Sequence, residues 1–222
     1  MAEELQDIGQ WRPITIGSVM LRAFSNMLTK RLQDVCPIHW SQKGFSETKG
    51  CSRNLIILHG VISRKKSRSE SLAVVFIDLA KAFDSVSHKH IEEVLVRRGV
   101  DALMRGLIRD SYRGCSTRIG TIEGDTSRIG LQVGVKQGDP MSPLLFNLAL
   151  DPLLRMLKKR GEGVQVGSNY LTSLAYIDDL VLLSHDWSGM ALNLAILGAF
   201  CRLSGLSVNP KKCHGFLLSG HG

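Results

Sequence analysis

The stretch Leu174-Ala175-Tyr176-Ile177-Asp178-Asp179-Leu180-Val181-Leu182-Leu183-Ser184 constrains this chain more than any other. Two apolar runs flank an adjacent pair of carboxylates, which reads as strand, two-residue turn, strand. Two ionised side chains cannot be buried unpaired without a large desolvation cost. The pair is therefore either an exposed turn or a place where cations balance its charge. The apolar flanks require most of the hairpin to be buried, so only its tip can reach a cleft, which favours a cation site. Ala73-Val74-Val75-Phe76-Ile77-Asp78-Leu79 is a second buried strand closing on an aspartate. Two strands ending in Asp can converge three carboxylates, Asp78, Asp178 and Asp179, on one point. Read alone, Asp78 could instead cap a helix, since Ala80-Lys81-Ala82-Phe83 follows it. Hard oxygen donors with no metal-spaced Cys or His suit Mg²⁺, whose coordination shell substrate phosphates normally complete. Two such ions about 4 Å apart would clamp an in-line phosphoryl transfer.

Phe76-Ile77-Asp78-Leu79-Ala80-Lys81-Ala82-Phe83-Asp84-Ser85-Val86 resembles motif A of reverse transcriptases of the non-LTR (LINE-like) retrotransposon class. Gln137-Gly138-Asp139-Pro140-Met141-Ser142-Pro143 with Leu144-Leu145-Phe146-Asn147 is similar to their motif B. The central hairpin resembles motif C, and Gly205-Leu206-Ser207-Val208-Asn209-Pro210-Lys211-Lys212-Cys213 resembles motif D. Trp11-Arg12-Pro13-Ile14 and Gln42-Lys43-Gly44-Phe45 are similar to two fingers motifs. The resemblance runs in the family's order from about residue 8 to 218. One departure stands out: this class usually has Phe-Ala before the paired aspartates, and here stand Tyr176 and Ile177. Tyr-x-Asp-Asp is the form of retroviral and intron-encoded enzymes, and Ile177 adds bulk beside the primer end.

The resemblance implies an α+β right-hand polymerase of fingers and palm, with a small antiparallel palm sheet packed by helices. Fingers are expected mainly over 1–71 and about 115–135, palm mainly over 72–114 and 136–218, and the thumb is expected to be absent. Asp78 and Asp178 would be the principal ligands of two Mg²⁺ ions, with Mn²⁺ as a possible substitute, and Asp179 a weaker ligand. Phe83 would lie under the sugar of the incoming nucleotide and exclude a 2′-OH, Gln137 and Gly138 would lie against the nascent base pair, and Arg12 would contact the triphosphate. Lys212 would be the general acid for pyrophosphate, with Lys211 beside it as the alternative. Without the resemblance, Phe83 reads as core, Asp84 as a helix cap and Gln137-Gly138 as a helix-entry turn. RNA template, DNA primer and dNTPs are the partners implied. A group II intron enzyme and an element remnant that binds nucleic acid without polymerising are the alternatives.

Length and composition agree with this. At 222 residues the chain can bury a sizeable core as one domain. Its net charge of +8, from 28 Lys and Arg against 20 Asp and Glu, points to a polyanionic partner. Cys36, Cys51, Cys115, Cys201 and Cys213 are scattered without a CxxC spacing, so reduced intracellular thiols are expected rather than a zinc site or disulfides. Met1-Ala2-Glu3-Glu4 does not open a signal peptide, and no apolar run approaches the roughly 20 residues that span a bilayer. A soluble intracellular protein without membrane contact is expected, acting in the nucleus during integration.

Along the chain, a short strand is expected at 12–16 and a helix over 17–33 with Val19, Met20, Phe24, Met27, Leu28 and Leu32 inward. A second helix, capped by Ser52, would turn Leu55, Ile56, Leu58, Val61 and Ile62 inward and end in a solvated Arg64-Lys65-Lys66 run. Helices capped by Ser87, ending at Gly99, and by Asp101, a hairpin turning at Gly124-Asp125, and a helix capped by Ser142 and kinked or restarted at Pro152 complete the expectation.

Overall fold

A four-stranded antiparallel sheet lies at the centre of the computed structural model, which describes residues 14–45, 50–121 and 124–220. In chain order come helices α1 (Val19–Val35) and α2 (Gly50–Ser67), strand β1 (Leu72–Asp78), the one-turn α3 (Ala82–Ser85), α4 (His88–Arg97) and α5 (Ala102–Tyr112). Four two-residue strands follow, β2 (Ser116–Thr117), β3 (Gly120–Thr121), β4 (Gly124–Asp125) and β5 (Ile129–Gly130). After α6 (Ser142–Arg160) stand the hairpins β6 (Val164–Val166) with β7 (Asn169–Leu171) and β8 (Ser173–Tyr176) with β9 (Asp179–Ser184). The chain closes through α7 (Trp187–Ser204), a 3₁₀ turn (Pro210–Lys212) and β10 (His214–Leu218).

The strand order β10-β1-β9-β8 sets the two Asp-bearing strands side by side. β1 is apolar almost throughout because both its faces find partners. Ala73, Val75 and Ile77 enter a core with Val94 and Leu95 of α4, Leu145, Phe146 and Leu148 of α6, and Leu197 of α7. Leu72 and Val74 point to the opposite face, where Leu58 and Val61 of α2 and Val164 and Leu171 of the β6–β7 hairpin cover them. Helices α4, α6 and α7 pack one face of the sheet, as the expectation of a helix-packed sheet requires. The second face in fact has its own partial cover, and that cover fixes which end of the sheet stays accessible. Each buried Leu, Ile or Val contributes about 1.5–3 kcal/mol, so this two-sided packing, more than strand propensity, holds the Asp-bearing strands in register.

Several local expectations hold. Ser87 Oγ accepts from His90 N, Asp101 Oδ1 accepts from Met104 N at 2.9 Å, and Gly99 takes a φ of +73° just past α4. Others are corrected. Along α1 the interior residues are Ser25, Leu28, Thr29 and Leu32, whereas Val19, Met20 and Met27 face outward. Ser25 Oγ bonds Asp139 Oδ1, so the docked face of α1 includes a polar contact beside Leu28 and Leu32. On α2, Leu58 and Val61 are buried but Leu55 and Ile56 are exposed, and Ser52 lies inside a helix that begins at Gly50. Lys65 is buried, not solvated, and donates to Glu70 at 2.7 Å. Helix α6 runs unbroken through Pro152; His90 Nε2, 2.9 Å from Ala149 O, adds a partner in the turn that the proline interrupts. Its first turn is held by Asp139 Oδ1, which accepts from Met141 N, and not by Ser142. Gly124 and Asp125 pair as β4 instead of forming a turn tip, and Ile14 to Ile16 is not a strand.

Candidate active site

Asp78 closes β1, Asp179 opens β9, and the two are register partners across the antiparallel pair. Directly opposed residues project from the same face with Cβ atoms about 4.5–5.5 Å apart. Both carboxylates therefore belong to the face that also carries Leu72 and Val74. Asp178 occupies the two-residue turn between the partners Tyr176 and Asp179. The three expected carboxylates are thus brought to one end of one sheet, with Asp78 and Asp178 half-buried and Asp179 exposed. Among the described residues no three His, Cys, Asp or Glu side chains close a metal cage by themselves. An open carboxylate edge fits a hard divalent cation that keeps water and takes phosphate oxygens, and does not fit a closed zinc site.

The turn is strained. Ile177 has φ +60°, a left-handed conformation that a β-branched residue disfavours. Such a residue costs about 1–3 kcal/mol and persists only where its surroundings over-determine it.

The segment after Asp78 is fastened on two sides. On one, Asn209 N donates to Asp78 O at 2.9 Å, Ala80 N donates to Ser207 O at 2.8 Å, and the Asp78 N–H reaches Cys213 Sγ at 3.5 Å. Lys211 and Lys212 are exposed on the 3₁₀ turn that this contact holds against the end of β1. On the other side, Gly134 N donates to Val86 O at 2.8 Å and Val135 N to Phe83 O at 2.6 Å. Gly134 has φ +81°, and a Cβ there would stand 2.7 Å from the Phe83 and Asp84 carbonyls, so this close approach requires glycine. Gln137 Nε2 donates to Asp84 Oδ1 at 3.0 Å. Asp84 is therefore joined to the loop before α6 and does not cap α4, a role Ser87 fills.

Phe83 is half-buried and stacks on Phe146, with ring centroids 4.8 Å apart and planes at 17°. The stack on Phe146 makes Phe83 partly core, although its side chain is not fully buried. Gly138 is exposed at φ +106°, with Thr15 O only 2.7 Å from where a Cβ would stand, and Thr15 N donates to Gln137 O at 2.7 Å. Arg12 lies outside the described residues. Upstream of Gln137, buried Lys136 donates to Ser111 O at 2.6 Å and sits 4.8 Å over the Tyr112 ring. Burial pushes the Tyr112 hydroxyl up to about 12, with its bond to Ser142 opposing, so this anchor stays neutral at physiological pH.

Two groups gave no signal of their own in the sequence. Asp151 of α6 is fully buried and accepts from Arg98, from Arg155 Nε at 2.5 Å and from His39 N at 2.6 Å, which ties α4 and the segment after α1 to α6. Gln42 and Gly44, quoted above only as part of a fingers motif, stand against the carboxylate turn.

A sequence model of the family described as reverse transcriptase (RNA-dependent DNA polymerase) matches residues 4–219. The chain belongs to that family. This reverse transcriptase chain is 38% identical over 211 residues to the Pol polyprotein of the type-1 retrotransposable element R2 from Popillia japonica, a match covering 94% of the chain and 30% of the polyprotein. The R2 polyprotein of Nasonia vitripennis is 34% identical over 204 residues, covering 92% and 20% respectively. The chain thus spans less than a third of the length of either relative. Its fold is shared with the apo telomerase of Candida tropicalis, with a TM-score of 0.62 at 12% identity, covering 91% of this chain and 37% of that one. The Candida albicans telomerase in complex with a fragment of telomeric RNA gives a TM-score of 0.61 at 12% identity, covering 89% and 34%. The α+β fold expected from the resemblance is the fold found. Reverse transcriptases use divalent metal ions, and the carboxylate edge fits that requirement.

Proposed function

We propose that this chain is the RNA-directed DNA polymerase domain of a non-LTR retrotransposon polyprotein, extending a DNA 3′-OH with dNTPs along an RNA template. The observation that carries the reading is the register pairing of Asp78 with Asp179, with Asp178 in the adjoining turn. Residues 1–71 and about 115–135 serve as fingers, and 72–114 with 136–218 as palm. Asp78 and Asp178 would hold two Mg²⁺ ions, with Asp179 as a weaker contact. When bound, these ions lower the pKa of the primer hydroxyl and neutralise charge on the leaving pyrophosphate.

The chain's own residues orient the reactants. The half-open ring of Phe83, braced by Phe146, forms a wall that a 2′-OH would strike. Gln137 and Gly138 present a loop that the chain supports at Thr15, and Arg12 is the triphosphate contact. Lys212 offers a proton to the pyrophosphate from the turn fastened to β1. The net charge of +8 favours the phosphate backbones of template and primer.

The test is primer extension on an RNA template with dNTPs and Mg²⁺ or Mn²⁺. DNA synthesis that a chelator abolishes is expected; chelator-insensitive synthesis, or none with either metal and a demonstrably bound primer–template, contradicts the reading.

A further inference from the structure

Gln42 reaches the carboxylate turn from another part of the chain. Residues 41–43 run beside β8 as a short parallel strand: Ala175 N donates to Ser41 O and Lys43 N donates to Ala175 O, both at 2.9 Å, with Gln42 bridged to Ala175. Two residues further along, the Gln42 side chain continues this ladder where the backbone has turned away. Its Oε1 accepts from Ile177 N at 2.8 Å, and its Nε2 donates to Ile177 O at 3.0 Å. The same Oε1 accepts from Gly44 N at 2.9 Å, so three partners fix which end of the amide is oxygen. Gln42 is 5% exposed, and water does not compete for these bonds.

Gly44 completes the grip. A Cβ at this position would stand 2.5 Å from Ile177 Cγ1 and 2.6 Å from Ile177 N, so only glycine allows the loop to close on the turn. Asn147 Nδ2 of α6 donates to Gly44 O at 3.0 Å and backs the loop from behind. Ile177 is the residue with φ +60°, the one whose conformation must be imposed from outside.

We infer that Gln42 is a positioning residue for the carboxylate turn. It holds both backbone polar groups of Ile177 and so keeps that residue left-handed, which directs Asp178 toward Asp78 and Asp179. The inference rests on the polymerase reading for its consequence in catalysis, and on hydrogen bonds within this chain for its geometry. Without the amide, Ile177 relaxes toward negative φ and the peptide leading into Asp178 rotates. Small displacements at a catalytic centre lower rates by large factors. A glycine at 177 adopts positive φ without steric penalty, so it has less need of the clamp.

The test compares Gln42→Met, similar in length but without the amide, in Ile177 and Ile177→Gly backgrounds. Amide hydrogen exchange at residue 177, Mn²⁺ affinity by electron paramagnetic resonance and single-turnover nucleotide addition are measured on each. For a folded Gln42→Met protein we expect the Ile177 amide to exchange at least about tenfold faster, Mn²⁺ to bind several-fold more weakly and addition to slow at least about tenfold, with KM for dNTP nearly constant. In the Ile177→Gly background the loss from Gln42→Met should shrink to about threefold or less. Should Gln42→Met not fold, Gln42→Asn, whose amide is withdrawn by one methylene, is read in the same way. An unchanged Mn²⁺ affinity and exchange rate, or an equal loss in both backgrounds, overturns the inference. Wild-type protein that adds no nucleotide contradicts the polymerase reading instead, and the exchange and Mn²⁺ measurements still decide the role of Gln42.

Discussion

Asp78 and Asp179 are cross-strand partners at the open end of a sheet whose other register pairs, from Ala73 with Ser184 to Ile77 with Leu180, are largely buried. The pairing converts apolar packing into electrostatic placement. A slip of one residue in β1 would move Asp78 to the face packed by α4, α6 and α7 and Ile77 to the site. Packing on both faces of β1 forbids that slip, so the register of the sheet itself positions the carboxylates.

Like charges held side by side oppose folding until a cation neutralises them. Asp178→Asn should leave the metal-free melting temperature unchanged or slightly raised, and should remove most of the stabilisation that Mn²⁺ gives the wild type. Calorimetric melts with and without Mn²⁺ check this; equal Mn²⁺ stabilisation of both proteins would show that the ion binds elsewhere.

Phe83→Val keeps an apolar side chain on Phe146 but withdraws the wall. Incorporation of ribonucleotides relative to deoxynucleotides should rise, at a stability cost of about 1–3 kcal/mol, less than that of a fully buried ring. Competitive incorporation assays with a parallel denaturant melt separate the two effects. Unchanged sugar discrimination in a folded variant would leave Phe83 a core residue alone.

Asp151→Ala strands Arg98 and the His39 amide in the interior. Removing one member of a buried ion pair costs about 3–5 kcal/mol. Urea denaturation should show a loss of that size, and a loss under about 1 kcal/mol would mean that the cluster is mainly solvated.

His39 supplies a pH dependence. Burial pushes its imidazole below the usual 6.5; Asp151 opposes this, and Lys158, Arg155 and Lys43 reinforce it. Its Nδ1 lies 2.7 Å from Ser41 Oγ, and Nε2 has no hydrogen-bond partner among the described residues. The folded state therefore favours the neutral ring. Its contribution is complete above pH 6.5 and is lost as pH falls through the lower, folded-state value. Melting temperatures from pH 8 to 5 should fall more steeply for wild type than for His39→Asn, and parallel slopes would remove His39 from the account.

Much of this site was legible in the sequence because its strands carry their own signal. β1 and the β8–β9 hairpin are apolar runs interrupted by aspartate, and Ser87 and Asp101 announce the helices they cap. The inward side of α1 was not legible. Its period-3.6 stripe is real, but the docked face combines Leu28 and Leu32 with Ser25, whose partner Asp139 is far away in sequence. The continuity of α6 through Pro152 was not legible either, because local propensity alone predicts a break where the proline removes the bond to Leu148 O. Gln42 was visible as a residue and invisible as a clamp, because its partner Ile177 is brought to it only by the parallel approach of residues 41–43 to Ala175.

The most direct test of the whole account is single-turnover nucleotide addition to a primed RNA template in Mg²⁺ by wild type and Asp178→Asn, under conditions where both proteins hold the primer–template equally. Asp178→Asn should slow addition by at least about a thousandfold, since removal of one electrostatic contact to the reacting centre commonly costs 10²–10³ and here it also loosens a metal ligand. Addition by folded Asp178→Asn within about tenfold of wild type would contradict the account.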